Sequence, residues 1–226
     1  QDPDFAQTLQ VMARVPIFFL LTCHGACGAP IHDAARRGEI EKMKKFLPQD
    51  LNLKEESSGQ TPLMAAVLQG EEDAVEYLLT FKPDATIGEE QGYTPMHGAG
   101  FQGRTECAVH LLKYRLDPSD RHKDGYTPLH RACWGKTERH KNMVKWLLNN
   151  GVDPDERASN GNTCLKMTQN EKTKKLVEKA LAKKKVSIEV KMAEERAEKA
   201  KEEEEKRKRE EKEEEEEDYE KDDETL

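Results

Sequence analysis

Three copies of one four-residue motif, set at one interval, constrain this chain more than any other feature. Thr61-Pro62-Leu63-Met64, Thr94-Pro95-Met96-His97 and Thr127-Pro128-Leu129-His130 begin 33 residues apart. A fixed period of that size means one supersecondary unit repeated along the chain. A weaker copy, Ala29-Pro30-Ile31-His32, lies 32 residues upstream, and another, Thr163-Cys164-Leu165-Lys166, lies 36 downstream. Gly59, Gly92, Gly125 and Gly161 stand two residues before the last four copies. Leu-Leu pairs follow the three middle copies (Leu78-Leu79, Leu111-Leu112, Leu147-Leu148), and Asp84, Asp117 and Asp153 follow those pairs.

Each feature has a physical reading. Proline fits the first turn of a helix, where its missing N–H costs nothing, and the preceding threonine caps that helix. Small residues after the motif allow close helix packing, and Gly70, Gly103 and Gly135 end the short first helix. The second helix carries an apolar stripe at helical spacing, as in Ala74, Val75, Leu78 and Leu79. The Asp-to-Gly stretch beyond it has turn chemistry and reads as a hairpin-like finger. One such unit cannot bury both of its apolar faces; stacked copies bury a continuous core.

This stretch resembles the ankyrin repeat, with its Thr-Pro-Leu-His helix, its Val/Leu-Leu second helix and its glycine-containing finger. The resemblance covers about residues 29–181 as about five repeats, four clear and the fifth partial. It implies an all-α solenoid of stacked helix-turn-helix units with β-turn fingers. The first repeat lacks the motif threonine and carries Pro48 where its second helix should be ending. The fifth lacks the proline and carries Lys166 and Lys172 on otherwise apolar ground. Both read as polar-faced caps, which a solenoid needs for solubility. The fourth repeat holds a net three-residue insertion around Thr137–His140, expected in the loop between its helices.

Charge separates the remaining segments. Charged residues make up 36% of the 226, and the net charge is −8. Residues 201–226 alone hold seven Lys/Arg against sixteen Asp/Glu, so residues 1–200 sum to about +1. That near-neutral body lacks the basic face expected of a nucleic-acid binder. Residues 182–226 form a Glu-rich tail. The i,i+4 pairs within it favour a helix running on from the last repeat, and the all-Glu runs predict fraying to disorder near Glu213. No apolar heptad supports a coiled coil. The tail solubilises, or it serves as an arm for a basic partner or for the Lys172–Lys185 stretch. The terminal Asp-Glu-Thr-Leu resembles an ER-retention ending loosely.

Residues 1–28 are an apolar N-terminal segment. Met12-Ala13-Arg14, then Val15–Thr22, follow the order of a start, a basic residue and a short apolar core, and Ala26-Cys27-Gly28 suits a small-residue cleavage site. Cleavage there leaves Ala29 at the first repeat. Against a signal peptide stands Pro16; the other reading is an apolar cover for the first repeat's open edge. The run is too short to span a bilayer. Cytoplasmic residence is the working expectation, with the secretory pathway as the alternative. The five cysteines, Cys23, Cys27, Cys107, Cys133 and Cys164, are odd in number and scattered, which argues for reduced thiols. Cys23, His24, Cys27 and His32 make a loose metal-like cluster, and no metal or cofactor is expected.

No catalytic constellation emerges. Thr61, Pro62, Thr94, Pro95, Thr127 and Pro128 are structural motif residues. The resemblance implies that His97 and His130, with His32 at the same repeat position, hydrogen-bond between neighbouring units, and Cys133 is expected to pack. The resemblance implies partner binding on finger tips and the exposed face of the first helices. Carried onto this chain, that strip holds Gln60, Glu90, Gln91, Tyr93, Arg121, Lys123, Asp124, Tyr126 and Arg157 from the fingers. Leu68, Gln69, Phe101, Gln102 and Trp134 come from the first helices. Tyr93 and Tyr126 occupy equivalent positions, and Phe101 and Trp134 nearly so. Tyr, Trp and Arg are the residues enriched among hot spots. The alternative for Phe101 and Trp134 is packing between repeats. The function expected is a monomeric scaffold or adaptor for a protein partner. A secreted or ER-lumenal effector and the targeting subunit of an enzyme assembly are the alternatives.

Overall fold

The computed structural model describes residues 30–223, with side chains described through Arg209. The signal-peptide reading, the Cys23/His24/Cys27 cluster and the last three residues of the retention-like ending lie outside the described residues.

Ten helices follow one another among the described residues. The first helices of the units are α1 (Pro30–Arg36), α3 (Pro62–Gln69), α5 (Pro95–Gln102), α7 (Pro128–Trp134) and α9 (Cys164–Met167). The second helices are α2 (Ile40–Met43), α4 (Glu72–Thr80), α6 (Thr105–Lys113), α8 (Glu138–Asn149) and α10 (Glu171–Asp223). Each first helix packs on the next along the row α1–α3–α5–α7–α9, and the second helices form a parallel row from α4 through α6 and α8 to α10. No strand forms among the described residues; an isolated bridge joins Arg157 and Thr163. The fold is thus the all-α stack that the repeat predicts.

Proline at the first position and an extended threonine before it start α3, α5 and α7. The Thr61 Oγ1 accepts from the Met64 N–H at 3.2 Å. Between the two helical rows runs one core, in which Leu63, Leu78, Met96, Leu111, Leu129, Met143 and Leu147 are almost wholly buried. Burying apolar surface is the main favourable term, and stacking lets both faces of each unit share it. Three fingers close by a backbone bond across four residues, Glu89 to Tyr93, His122 to Tyr126 and Ala158 to Asn162, and the first finger closes across five, Glu55 to Gln60. Gly125 stands at φ 79, and a Cβ there would lie 2.4 Å from the Ser159 nitrogen of the next finger.

Four local expectations need correction. Gly70 and Gly103 end their helices in the left-handed conformation, but Gly135 is extended, at φ −74 and ψ 144. Its small size matters for a different reason: a Cβ would collide with the His140 ring. The insertion of the fourth repeat is not a loop. Thr137 is the N-cap of α8, which has 12 residues where α4 and α6 each have 9. A threonine hydroxyl and a histidine three residues on are again the starting pair, so the extra residues add helix. In the first repeat α2 ends at Met43, well before Pro48. The thiols are not all reduced, because Cys133 and Cys164 form a disulfide with Cα atoms 5.5 Å apart. Stacking α9 on α7 brings together two positions 31 apart in sequence. Cys107 is a free, buried thiol.

The capping unit at the C-terminal end keeps Thr163, Cys164, Thr173 and Val177 buried while Lys166 and Lys172 face out. Lys184 of α10 reaches back to Asp153 at 2.6 Å. Beyond that contact α10 leaves the stack, with Val186, Ile188, Val190 and Met192 about half exposed. It continues helical to Asp223, past Glu213, where fraying was expected. A Lys208–Glu204 pair at 2.7 Å and i,i+4 spacing is one of the contacts that favour it.

Candidate binding face on the finger and first-helix side

The motif histidines hold the fingers to the helices. His130 accepts from the Thr127 hydroxyl at Nδ1, 2.9 Å away, and the His97 Nδ1 lies 2.9 Å from the Thr94 hydroxyl, which also faces Asp120 Oδ2 at 3.1 Å. Their Nε2 atoms face carbonyls and therefore donate. For His97 the acceptor is Tyr126 at 3.2 Å; for His130 it is Glu156 at 3.1 Å and Asn162 at 3.2 Å. His140 repeats the arrangement, with Thr137 at Nδ1 and the Phe101 carbonyl 2.9 Å from Nε2. Burial pushes the pKa of all three rings down, against the opposing effect of the carbonyl bonds. In the first repeat His32 bonds the Leu53 and Gln60 carbonyls at 2.9 and 3.0 Å. Its Nδ1 has no partner among the described residues, as expected where Ala29 replaces the threonine.

These ties position a cluster that the repeat pattern does not announce. Arg131, at 2% exposure, sits among three rings. Its guanidinium carbon lies 4.2 Å from the Tyr93 ring centroid, 4.8 Å from Tyr126 and 4.5 Å from Trp134. Cation–π attraction gains strength in such a desolvated place. Nη2 donates to the Tyr93 hydroxyl and to Asp124 Oδ2, the latter at 3.1 Å. The Tyr93 hydroxyl donates to the same Asp124 oxygen at 2.6 Å. Burial pushes the Asp124 carboxyl up. Hydrogen bonds from Tyr93, the Tyr126 N–H and His122, with the Arg131 charge, outweigh burial and hold it below the usual range. The Tyr93 phenol is pushed well up, by burial and then by its bond to Asp124. Its ring stacks on His122, with centroids 3.9 Å apart.

Two cavities open beside this cluster. One, of about 160 Å³, is bordered by Gln60, Met64, Leu68, Glu89, Gln91, Tyr93, His97, Gly98, Phe101 and Arg131. The other, of about 270 Å³, is bordered by Phe101, Gln102, Arg131, Trp134, Gly135 and His140. Gly98 opens the first, since a Cβ there would stand 2.9 Å from the Met64 sulfur.

Half of the fourteen residues expected on the strip border these openings. Gln60, Leu68, Gln91, Tyr93 and Phe101 line the first cavity and Phe101, Gln102 and Trp134 the second. Phe101 is 45% exposed. Tyr126, expected on the exposed strip, is instead 7% exposed and packed against Trp134 at 5.3 Å and the Arg131 guanidinium at 4.8 Å. Asp124 anchors the arginine. Gln69, Glu90, Arg121, Lys123 and Arg157 border neither cavity. Arg121 is engaged in finger contacts, with the Gly125 and Arg157 carbonyls at 3.0 and 2.7 Å and an ion pair to Glu156. Glu90 donates its N–H to the Ser58 carbonyl at 3.0 Å, joining adjacent fingers.

Sequence reasoning missed Arg131, Met64, Glu89, Gly98 and His140. A signal for Arg131 was present: Ala65, Gly98 and Arg131 occupy one motif position at 33-residue spacing. A long cation where its equivalents are small marks a departure from a packing rule. His140 was hidden because it belongs to no copy of the motif.

A family model described as ankyrin repeats matches the chain in three copies, over residues 31–122 and 81–158. No curated protein matches it.

Proposed function

Because the chain belongs to the ankyrin-repeat family, whose repeats generally serve as protein–protein interaction modules, we propose that it is a scaffold or adaptor. In this reading it holds a partner segment on the face made by the fingers and first helices of its third and fourth repeats. One observation carries the reading: two cavities flank Arg131, and Tyr93, Phe101 and Trp134 border them. Aromatic side chains and a desolvated arginine around adjoining pockets are the composition of an interface hot spot. The surrounding stack is held by buried histidine and threonine contacts, so the face is preorganised, which lowers the ordering cost of binding.

The test is selection of linear peptides from a displayed library on the full chain, followed by titration of the winners. The Phe101→Ala/Trp134→Ala double variant should lose binding about 100-fold or more, with its helical circular-dichroism signal and cooperative melt retained. Equal affinity for the folded variant would refute the assignment of this face.

A further inference from the structure

We infer that Arg131 is the receptor for a carboxylate, an Asp or Glu side chain carried by a partner peptide that lies across the third and fourth repeats. The inference rests on the binding face proposed above and adds the chemistry of what it recognises.

The arginine is buried but incompletely satisfied. Of its three guanidinium nitrogens, Nη2 alone has hydrogen-bond partners among the described residues, Tyr93 and Asp124. Nε and Nη1 have no hydrogen-bond partner among the described residues. Those two atoms carry three N–H donors. Buried donors of a charged group left unpaired are costly, and native structures pair nearly all of them. Three rings crowd the guanidinium at 4.2 to 4.8 Å, and the arginine borders both cavities. The unpaired nitrogens are covered from solvent, so an acceptor seated in the adjoining cavity stands beside a cation already held in place and reaches it with a small shift of a bordering side chain.

Charge selects the acceptor. Around the larger cavity stand Phe101, Gln102, Trp134, Gly135 and His140, with no carboxylate among them. A single negative charge there complements Arg131, and Phe101 and Trp134 offer apolar walls to the methylenes of an Asp or Glu. Planar carboxylates match guanidinium geometry, and the bonds are charge-assisted. A phosphate dianion fits less well, because Asp124 stands 3.1 Å from the same guanidinium and adds a like charge nearby.

The test takes peptides selected on the full chain and measures them by fluorescence anisotropy as synthetic pairs, Glu or Asp against Gln or Asn at each acidic position. One acidic position should matter: its neutral analogue should bind about 10- to 100-fold more weakly. In Arg131→Lys, with the melt and circular dichroism checked, that preference should shrink to less than about threefold. The peptide pair on the unaltered protein decides the matter even if the variant fails to fold. Selected peptides that lack an acidic residue but still depend on Phe101 and Trp134 would overturn the carboxylate inference and leave the binding face standing. Binding insensitive to Phe101, Trp134 and Arg131 would overturn both. Millimolar acetate that competes as well as the peptide would assign the site to free carboxylates and overturn the peptide reading. A peptide of residues 201–226 that binds with equal affinity would replace the separate partner by a second copy's acidic tail.

Discussion

Mild acid should loosen this stack while its carboxylates are still ionised, and the histidines set how steeply. His97, His130 and His140 are all buried, and their rings are held neutral. Burial is the largest cause in each case. Around His97 the Asp120 charge and the Tyr126 carbonyl oppose it, and Arg131 and His122 reinforce it. Around His130 the Asn162 and Glu156 carbonyls oppose and Arg121 and Arg131 reinforce. Around His140 the Phe101 carbonyl opposes and Arg139 and Arg104 reinforce. In the unfolded chain each ring returns to an ordinary pKa of about 6.5. Their folded values are depressed, so below that pH the unfolded state binds protons that the native state excludes. Stability is therefore complete above about pH 6.5 and falls as the pH drops through the window beneath it. One histidine contributes a slope of about 1.4 kcal/mol per pH unit while its native ring stays neutral, and three together contribute at most about 4. Against a total stability on the order of 5–15 kcal/mol, that loss is large. Urea unfolding between about pH 7.5 and 5 measures it, with a constant slope against denaturant confirming two-state behaviour. His140→Gln should remove about a third of the pH slope. A flat profile across the window, a gain of stability with acid, or an unchanged slope in the variant would refute the account of these rings as buried neutral bridges.

Lys82 and Arg115 sit at φ 57 and 72 where the equivalent position of the fourth repeat is Gly151, at φ 86. Replacing either by glycine should raise stability by about 0.5–1 kcal/mol in chemical denaturation, since a Cβ is strained there; a loss would show that the side chain's contacts outweigh the strain. Reducing the Cys133–Cys164 disulfide, which closes a separation of 31 residues, should cost about 3–4 kcal/mol by chain entropy. Melts with and without reductant, set beside Cys164→Ser, read that difference. Gly100→Ala places a Cβ 2.4 Å from the Pro128 carbonyl oxygen and should cost about 1–3 kcal/mol by forcing α5 from α7. An unchanged denaturation midpoint would mean that the two helices slide apart freely.

The solenoid was legible because its signals are local and repeated. Pro62, Pro95 and Pro128 mark helix starts whatever surrounds them, and the Leu-Leu pairs mark buried second helices by spacing alone. The repetition multiplied each weak cue, and the structural roles of His97 and His130 followed from their place in the motif. The fourth repeat's extra residues were read as loop because Thr137-Glu138-Arg139-His140 is a helix start without the usual proline. Only its tie to the Phe101 carbonyl, in another repeat, gives His140 a reason to be buried.

The cluster at Arg131 was decided by tertiary structure. Tyr93, Asp124, Arg131 and Trp134 come from two fingers and one helix, and their approach depends on the stacking distance and on Gly98 leaving space beside Met64. The disulfide has the same origin: Cys133 and Cys164 are unremarkable in sequence until α9 packs on α7. The periodic chain by itself determined how each unit folds and that the units must stack, because helix starts and apolar stripes act over a few residues. Which side chains meet between units was settled only when the units were in register, because those contacts join residues about 30 or more apart in the chain.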